Sequence, residues 1–555
     1  MTALVTGVAE AVDTVLGGWL LVVLLVVPLV AAAVLLAAGD RIGDRAAAET
    51  GTAVAAGTLV LGALATVGAA PFDRPGTGLA FDVPWVPALG LRLSLGLDGV
   101  SAPLVLLTAL LTLLVCWHLV RVRPVAGRVR GLVACILAVE AGALATFTAQ
   151  DLLLFFVAFE VVLVPMWFVI AFWGDDGQPA TVAEPSAPRP GGEAARRDAA
   201  YRFVLYTALG SAVMLLGLVL VAFRAGTTDL AALAYAAGSG MSTTTQTVAA
   251  VLVVLGLAVK APMFPLHTWL PPAHTIAPTA GSVLLAGVLL KMGTYGLVRV
   301  ALPVVPEGMR AIAPFLGAFG VAGILWGGLA CLVERDLKRL VALSSVAHMG
   351  FVLLGVASMT PQGVQGALFA NVAHGLVTGL LFLVVGGLKD RHHSADLGRL
   401  GSGLRDRMPR LGWLLAFGAV AGLGLPGLAG FWGELLAIAG AWRGEGALGP
   451  LARPLAVLAA VGTALAAAYL LRVLFLVWHG PNGRRPDGTS ATGHDAHAAG
   501  GLFAPVTVGD ATTHEVAVAV PLVLATVVLG LLPKVLLDVT GPAVRALLAP
   551  FGGGS

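Results

Sequence analysis

Charge is scarce in this sequence: Asp, Glu, Lys and Arg together make up 11% of its 555 residues. Ordinary soluble domains carry roughly twice that share, so a soluble globular fold is excluded. The 58% of hydrophobic residues excludes a disordered chain as well. Cysteine is nearly absent. Cys116, Cys135 and Cys331 each sit inside an apolar run without CxxC spacing, which rules out a disulfide framework and argues against iron–sulfur ligation by this chain. There is no GxGxxG following a strand, no P-loop and no HExxH, so neither a dinucleotide nor a metal finds its familiar cradle. A net charge of +3, from 33 basic and 30 acidic residues, gives no reason to expect nucleic acid.

What remains is hydrocarbon. A membrane helix needs roughly 20 apolar residues, and apolar runs recur along the whole chain. They fall near 18–38, 51–70, 99–120, 131–149, 152–173, 203–223, 246–266, 277–298, 311–333, 340–358, 364–388, 411–440, 455–479 and 515–537. The chain is therefore predicted to be an all-α polytopic membrane protein with about fourteen spans, its main partner the lipid bilayer. The first run follows Glu10 and Asp13 rather than a basic stretch, and reads as a span and not a signal peptide. The loops sort by charge. Odd-numbered loops hold 21 Lys and Arg and the opposite side holds 9, which predicts cytoplasmic odd loops and both termini outside. Residues 174–200, and 481–513 with His494 and His497, read as loops.

Three basic residues escape the loops: Lys260, Lys291 and Arg472 lie inside spans. Lysine occurs five times against 28 arginines, yet two of the five are kept at membrane depth. Lysine, unlike arginine, can release its proton in a low-dielectric setting. Glu140, Glu160, His348, His374 and Glu434 also fall within apolar runs. Ionisable groups are expensive in a bilayer and mark ion or proton routes by default. Arg472 reads instead as a helix-contact residue.

Two spans are interrupted, the seventh by the prolines at 262 and 265, the twelfth by GLGLPG at 422–427. Irregular backbone at membrane depth survives only when buried in protein or lining a cavity. Each break adjoins a charge, Lys260 before one and Glu434 after the other. The breaks sit five spans apart, as in a transporter core built from two repeats. Together these residues predict a proton route, with Glu160 beside Lys260, then Lys291, the histidines and finally Glu434.

The stretch at 260–296, KAPMFPLHTWLPPAHTIAPTAGSVLLAGVLLKMGTYG, resembles the signature of the M-type antiporter-like subunits of bacterial respiratory NADH:quinone oxidoreductase (complex I). So do FFVAFEVVLVPMWFVI, DLKRLVALSSVAHMGFVLLG, NVAHGLVTGLLFLVVGGL and GLGLPGLAGFWGE. The resemblance implies fourteen helices with two inverted five-helix repeats, and proton translocation coupled to NADH-to-quinone electron transfer in other subunits. It implies proton-transfer roles for Glu160, Lys260, Lys291, His348, His374 and Glu434, with Glu140, Asp336 and Lys338 as possible supporting residues. NADH, FMN, iron–sulfur clusters and quinone are expected in partner subunits, none in this chain. L-like, N-like and small membrane subunits are the expected partners, in a bacterial cell membrane. The expected layout is 1–97 as N-terminal spans and external loop, 98–298 and 299–480 as two antiporter-like halves, and 481–555 as loop and last span. The family's LPDAHTEAPT reads LPPAHTIAPT here, so Pro272 and Ile276 replace acids, and His267 and His274 read as packing residues. The alternatives are a subunit of a multisubunit cation/proton antiporter, a membrane-bound hydrogenase subunit, or a scaffold whose proton route is lost. Gene neighbours discriminate the first of these from complex I: L-like and N-like subunits beside it favour complex I, small antiporter subunits the antiporter.

Overall fold

A computed structural model of the chain describes residues 17–70, 72, 79–87, 90–122, 128–175, 192–479 and 509–552. Glu10, Asp13, His494, His497 and most of the two predicted long loops lie outside the described residues. Thirteen helices among the described residues are long and apolar enough to cross a membrane, from Trp19–Ala37 to Thr513–Leu531. The fourteenth is the twelfth span, which is split into Pro409–Gly422 and Ala429–Arg443. Neither half alone has the length to cross. The count read from the apolar runs therefore stands, and the chain is a multi-pass membrane protein.

Burial differs sharply between spans. Pro361–His392, the eleventh, is buried along its whole apolar window, whereas Trp19–Ala37 is 33% buried. Lipid solvates the outer helices, so apolar side chains such as Leu209 and Phe223 face outward at no cost. The inner spans, eight, ten and eleven, touch protein on nearly every face, and those are the spans that carry Lys291, His348 and His374.

Four features depart from the sequence reading. Ala80–Val86 and Leu91–Gly96 form an antiparallel hairpin in what read as loop. Residues 192–200, expected as loop, are the first turns of the sixth span, Gly192–Ala225. Its exposed polar start is laced by the i,i+4 pairs Glu193–Arg197 and Asp198–Arg202, which support a helix where apolarity does not. The last span ends at Leu531, and after Pro533 a separate helix runs from Lys534 to Leu547. Finally, the fifth span is kinked at Val162, between Leu152–Val161 and Leu163–Trp173. Pro165, three residues on, has no N–H to complete the ladder there.

Charged pairs pin the ends of spans together. Arg391, near the end of the eleventh span, reaches Glu515 at the start of the last through two bonds of 2.8 and 2.7 Å. Arg472 donates to Glu334 O at 3.0 Å, tying the thirteenth span to the end of the ninth. Asp98 precedes the third span and accepts from the N–H groups of Val100 and Ser101, both at 3.0 Å, while Arg299 stands 2.9 Å away. Burial alone would raise the Asp98 pKa, but Arg299 and these hydrogen bonds hold it below the usual carboxylate range. A depressed carboxylate stabilises the fold above its unfolded pKa of about 3.9 and loses that contribution as pH falls through the folded value. Asp98→Asn is thus expected to cost about 2 kcal/mol at neutral pH, with the gap to wild type narrowing below pH ~4. Unfolding of the two proteins in detergent at both pH values checks this, and a gap that fails to shrink contradicts it.

Candidate functional site

The seventh span, Thr243–Lys260, ends on its lysine. A cation there suits the negative end of the helix dipole. The irregular stretch that follows satisfies its freed backbone groups internally. Met263 N–H donates to Ala258 O and the Trp269 indole to Val259 O, both at 2.9 Å. The chain then resumes as the short helix Leu270–Ile276. Lys260 is 2% exposed; its Nζ donates to Phe159 O at 2.8 Å and lies 3.7 Å from the centre of the Phe159 ring. Glu160, the next residue, does not pair with it directly: no contact within 4.0 Å joins them, and Ser211 of the sixth span donates to Glu160 Oε1 at 2.5 Å. The Phe159 carbonyl thus meets the lysine while the Glu160 side chain meets the sixth span. Glu160 is nonetheless the carboxylate whose field reaches Lys260.

Lys291 occupies the centre of the eighth span, Thr279–Val304, between two π-helical stretches at Leu285–Leu289 and Leu297–Ala301. Such stretches leave carbonyls out of the i→i−4 ladder. One of them, Ala286 O, accepts from Lys291 Nζ at 2.5 Å. The same nitrogen lies 2.5 Å from His374 Nδ1. His374 stands on the eleventh span, its ring centre 5.8 Å from that of His348 on the tenth. His348 Nδ1 is 3.2 Å from Glu434 Oε1, and Thr463 donates to Glu434 Oε2 at 3.2 Å. The Tyr469 hydroxyl lies 3.5 Å from His348 Nε2.

The twelfth span can break beside Glu434 because Gly424 and Gly427 adopt φ of 77° and 93°. A side chain at either would be strained, and a Cβ at Gly424 would press to 3.1 Å from Glu434 Oε2. The break opens a cavity of about 30 Å³, lined among others by Ser344, His348, His374, Thr378 and Glu434. A water needs roughly 10–15 Å³ of such space, so there is room for about two. His374 Nε2, which has no hydrogen-bond partner among the described residues, belongs to a residue on this cavity wall.

The structure thus brings Lys291, His374, His348 and Glu434 together as successive neighbours, and it brings Lys260 near Glu160 on the fifth span without a side-chain bond between Lys260 and Lys291. Glu140 is fully buried, with neither oxygen partnered among the described residues, on the fourth span near Cys116 and in no contact with that series. Asp336 caps the tenth span, accepting from Arg339 N–H at 2.8 Å. Lys338 is buried and meets Asp175, which the sequence reading passed over. Burial would raise the Asp175 pKa, but Lys338 and Lys389 together hold it below the usual range. The signal was the GDD immediately after the fifth span, an acid where an apolar run meets a loop.

A family model described as NADH:quinone oxidoreductase/Mrp antiporter, TM, matches residues 189–462. The chain is 36% identical to NADH-quinone oxidoreductase subunit M of Rhodobacter capsulatus over 96% of its own length and 97% of that protein's. It is 33% identical to the subunit of the same name from Rickettsia typhi, over 84% of this chain and 85% of that one. Among solved structures, a chain of respiratory complex I from Thermus thermophilus superposes with a TM-score of 0.79 at 28% identity, covering 96% of this chain and 100% of that one. A chain of the Mrp complex from Dietzia sp. gives the same TM-score at 25% identity, over 97% and 98%.

Proposed function

Since the chain belongs to the NADH:quinone oxidoreductase/Mrp antiporter family, we propose that its line of buried lysine, histidine and glutamate side chains conducts protons across the membrane. The chain is an M-type, antiporter-like membrane subunit of respiratory NADH:quinone oxidoreductase, and it works beside the other membrane subunits of that complex. Identities of 36% and 33% to two M subunits over most of both chains favour this over a cation/proton antiporter. NADH, FMN, iron–sulfur clusters and quinone belong to the partner subunits. The membrane is the bacterial cell membrane, with both termini outside, on the strength of the asymmetry in loop arginines.

The observation that carries the proton route is the uninterrupted neighbourhood from Lys291 Nζ through His374 and His348 to Glu434, with a water-sized cavity at its side. A proton on Lys291 has His374 Nδ1 as its immediate acceptor. Histidine uses both ring nitrogens, so His374 passes a proton from Nε2 into the cavity, and His348 hands it to Glu434. The lysine then reloads. Lys260, with Glu160 nearby, supplies a second cation whose protonation biases Lys291 through the low-dielectric interior.

Lys260→Ala tests the linkage. The assembled complex, reconstituted in liposomes and driven by NADH, is expected to pump fewer protons per NADH than wild type. Undiminished pumping by Lys260→Ala overturns Lys260 as part of the route.

A further inference from the structure

Tyr469, on the thirteenth span at Ala452–Val473, is 0% exposed and puts its hydroxyl 3.5 Å from His348 Nε2. Its helix is anchored beside it: Arg472, three residues on, reaches Glu334 O at the end of the ninth span. On the other edge of the imidazole, His348 Nδ1 lies 3.2 Å from Glu434 Oε1. Both ring nitrogens of His348 therefore have a partner. His374 differs, since its Nε2 has none among the described residues.

Packing alone does not call for a tyrosine here. Phenylalanine would fill the same space, whereas a buried hydroxyl is unfavourable unless it is hydrogen-bonded. What the hydroxyl touches must account for it. An ionised carboxylate only accepts hydrogen bonds, and Glu434 has a neighbour on each oxygen: His348 Nδ1 at Oε1, and the Thr463 hydroxyl at Oε2, 3.2 Å away. With Glu434 ionised, Nδ1 must carry the hydrogen. Nε2 of the neutral ring is then an acceptor, and the Tyr469 hydroxyl is the donor that faces it.

We propose that Tyr469 is a positioning residue of the proton route: its hydroxyl holds His348 in the tautomer that donates from Nδ1 to Glu434 and keeps Nε2 free of hydrogen. This role rests on the reading of His348 as a proton carrier. When one proton reaches Nε2 and the proton on Nδ1 leaves for Glu434, the ring ends neutral in the opposite tautomer. Nε2–H then needs an acceptor. The hydroxyl supplies one by turning, and its own hydrogen meets Ser344 of the tenth span, whose hydroxyl hydrogen is spent on Val341 O at 2.8 Å. A hydroxyl both donates and accepts, and a phenyl ring does neither. The titratable groups that face this pair are His374 of the eleventh span, Glu434 of the twelfth and Cys331 of the ninth.

The test uses the whole complex in liposomes, with NADH-driven proton pumping followed by a pH-sensitive dye from about pH 6 to 8, the range in which imidazole titrates. Tyr469→Phe keeps the ring and removes the hydroxyl. It is expected to slow coupled pumping about tenfold or more, as loss of the group that fixes a working tautomer does, and to alter the pH profile, which a packing role would leave in place. His348→Gln is expected to slow pumping at least as much. In that background Tyr469→Phe should add nothing, because residues that act through one another are not additive. Wild-type pumping by Tyr469→Phe at every pH overturns the proposal. So does a full further loss in the double variant, since Tyr469 would then act elsewhere, and so does failure of Tyr469→Phe to assemble, since the hydroxyl would then be structural. A His348→Gln complex that pumps normally separates the two readings: the route through His348 falls, and not the positioning role alone.

Discussion

Replacing Lys291 by methionine is expected to stop proton passage through this subunit, with coupled turnover of the complex falling on the order of 10²-fold. Lys291 is fully buried, and methionine has nearly its length without the charge. The loss strips the donor from Ala286 O and from His374 Nδ1. Each orphaned acceptor costs roughly 1–3 kcal/mol, so the amount of assembled complex must be measured beside the rate. Lys291→Arg separates charge from proton release. Arginine keeps a cation beside His374 but does not surrender its proton in a protein. If proton release is what Lys291 contributes, the arginine variant fails like the methionine one. An arginine variant that pumps at the wild-type rate would reduce Lys291 to a fixed charge and contradict the proposed route.

The second large effect is steric. A Cβ built on Gly293 would stand 2.7 Å from Ala261 N and 2.7 Å from Leu257 O. Both are backbone atoms in the last turn of the seventh span, and backbone at the edge of a break has no rotamer to yield. Gly293→Ala must therefore push the seventh and eighth spans apart, and overpacking of this kind costs about 1–3 kcal/mol. Gly293→Leu adds three more carbons to the same closed space. The consequence reaches the site, because Lys260 adjoins Ala261 and Lys291 lies two residues before Gly293. The alanine variant is expected to assemble in reduced amount and to pump poorly, and the leucine variant not to assemble. Native electrophoresis and NADH-driven pumping read both. Full assembly and pumping by Gly293→Ala would show that the two spans have slack where the structure places them in contact.

The interruptions show how far local sequence reaches. Pro262, Pro265, Gly424 and Gly427 announce their breaks because proline lacks a donor and glycine tolerates positive φ, and these are properties of single residues. The π-helical stretches around Lys291 have no such marker. Nor does the kink at Val162 follow from Pro165 alone, since Pro28, Pro314 and Pro521 lie inside unbroken helices.

Pairing was less legible than position. Glu160 and Lys260 are neighbours in the expected order, yet the ammonium takes the Phe159 carbonyl and the carboxylate takes Ser211. The partners of Asp175, Lys338 and Lys389, lie 163 and 214 residues away in sequence.

The chain by itself determined its fourteen spans, their two fractures and the depth of each ionisable group, because hydrocarbon selects apolar runs of a set length and each run answers to lipid independently of the others. The three-dimensional packing alone decided that Lys291 meets His374, that His348 meets Glu434 and that Asp175 bridges two lysines. Those contacts depend on how each helix is rotated about its own axis against its neighbours. In a span apolar on all sides the bilayer sets no preferred face, so only helix-to-helix contact can choose one.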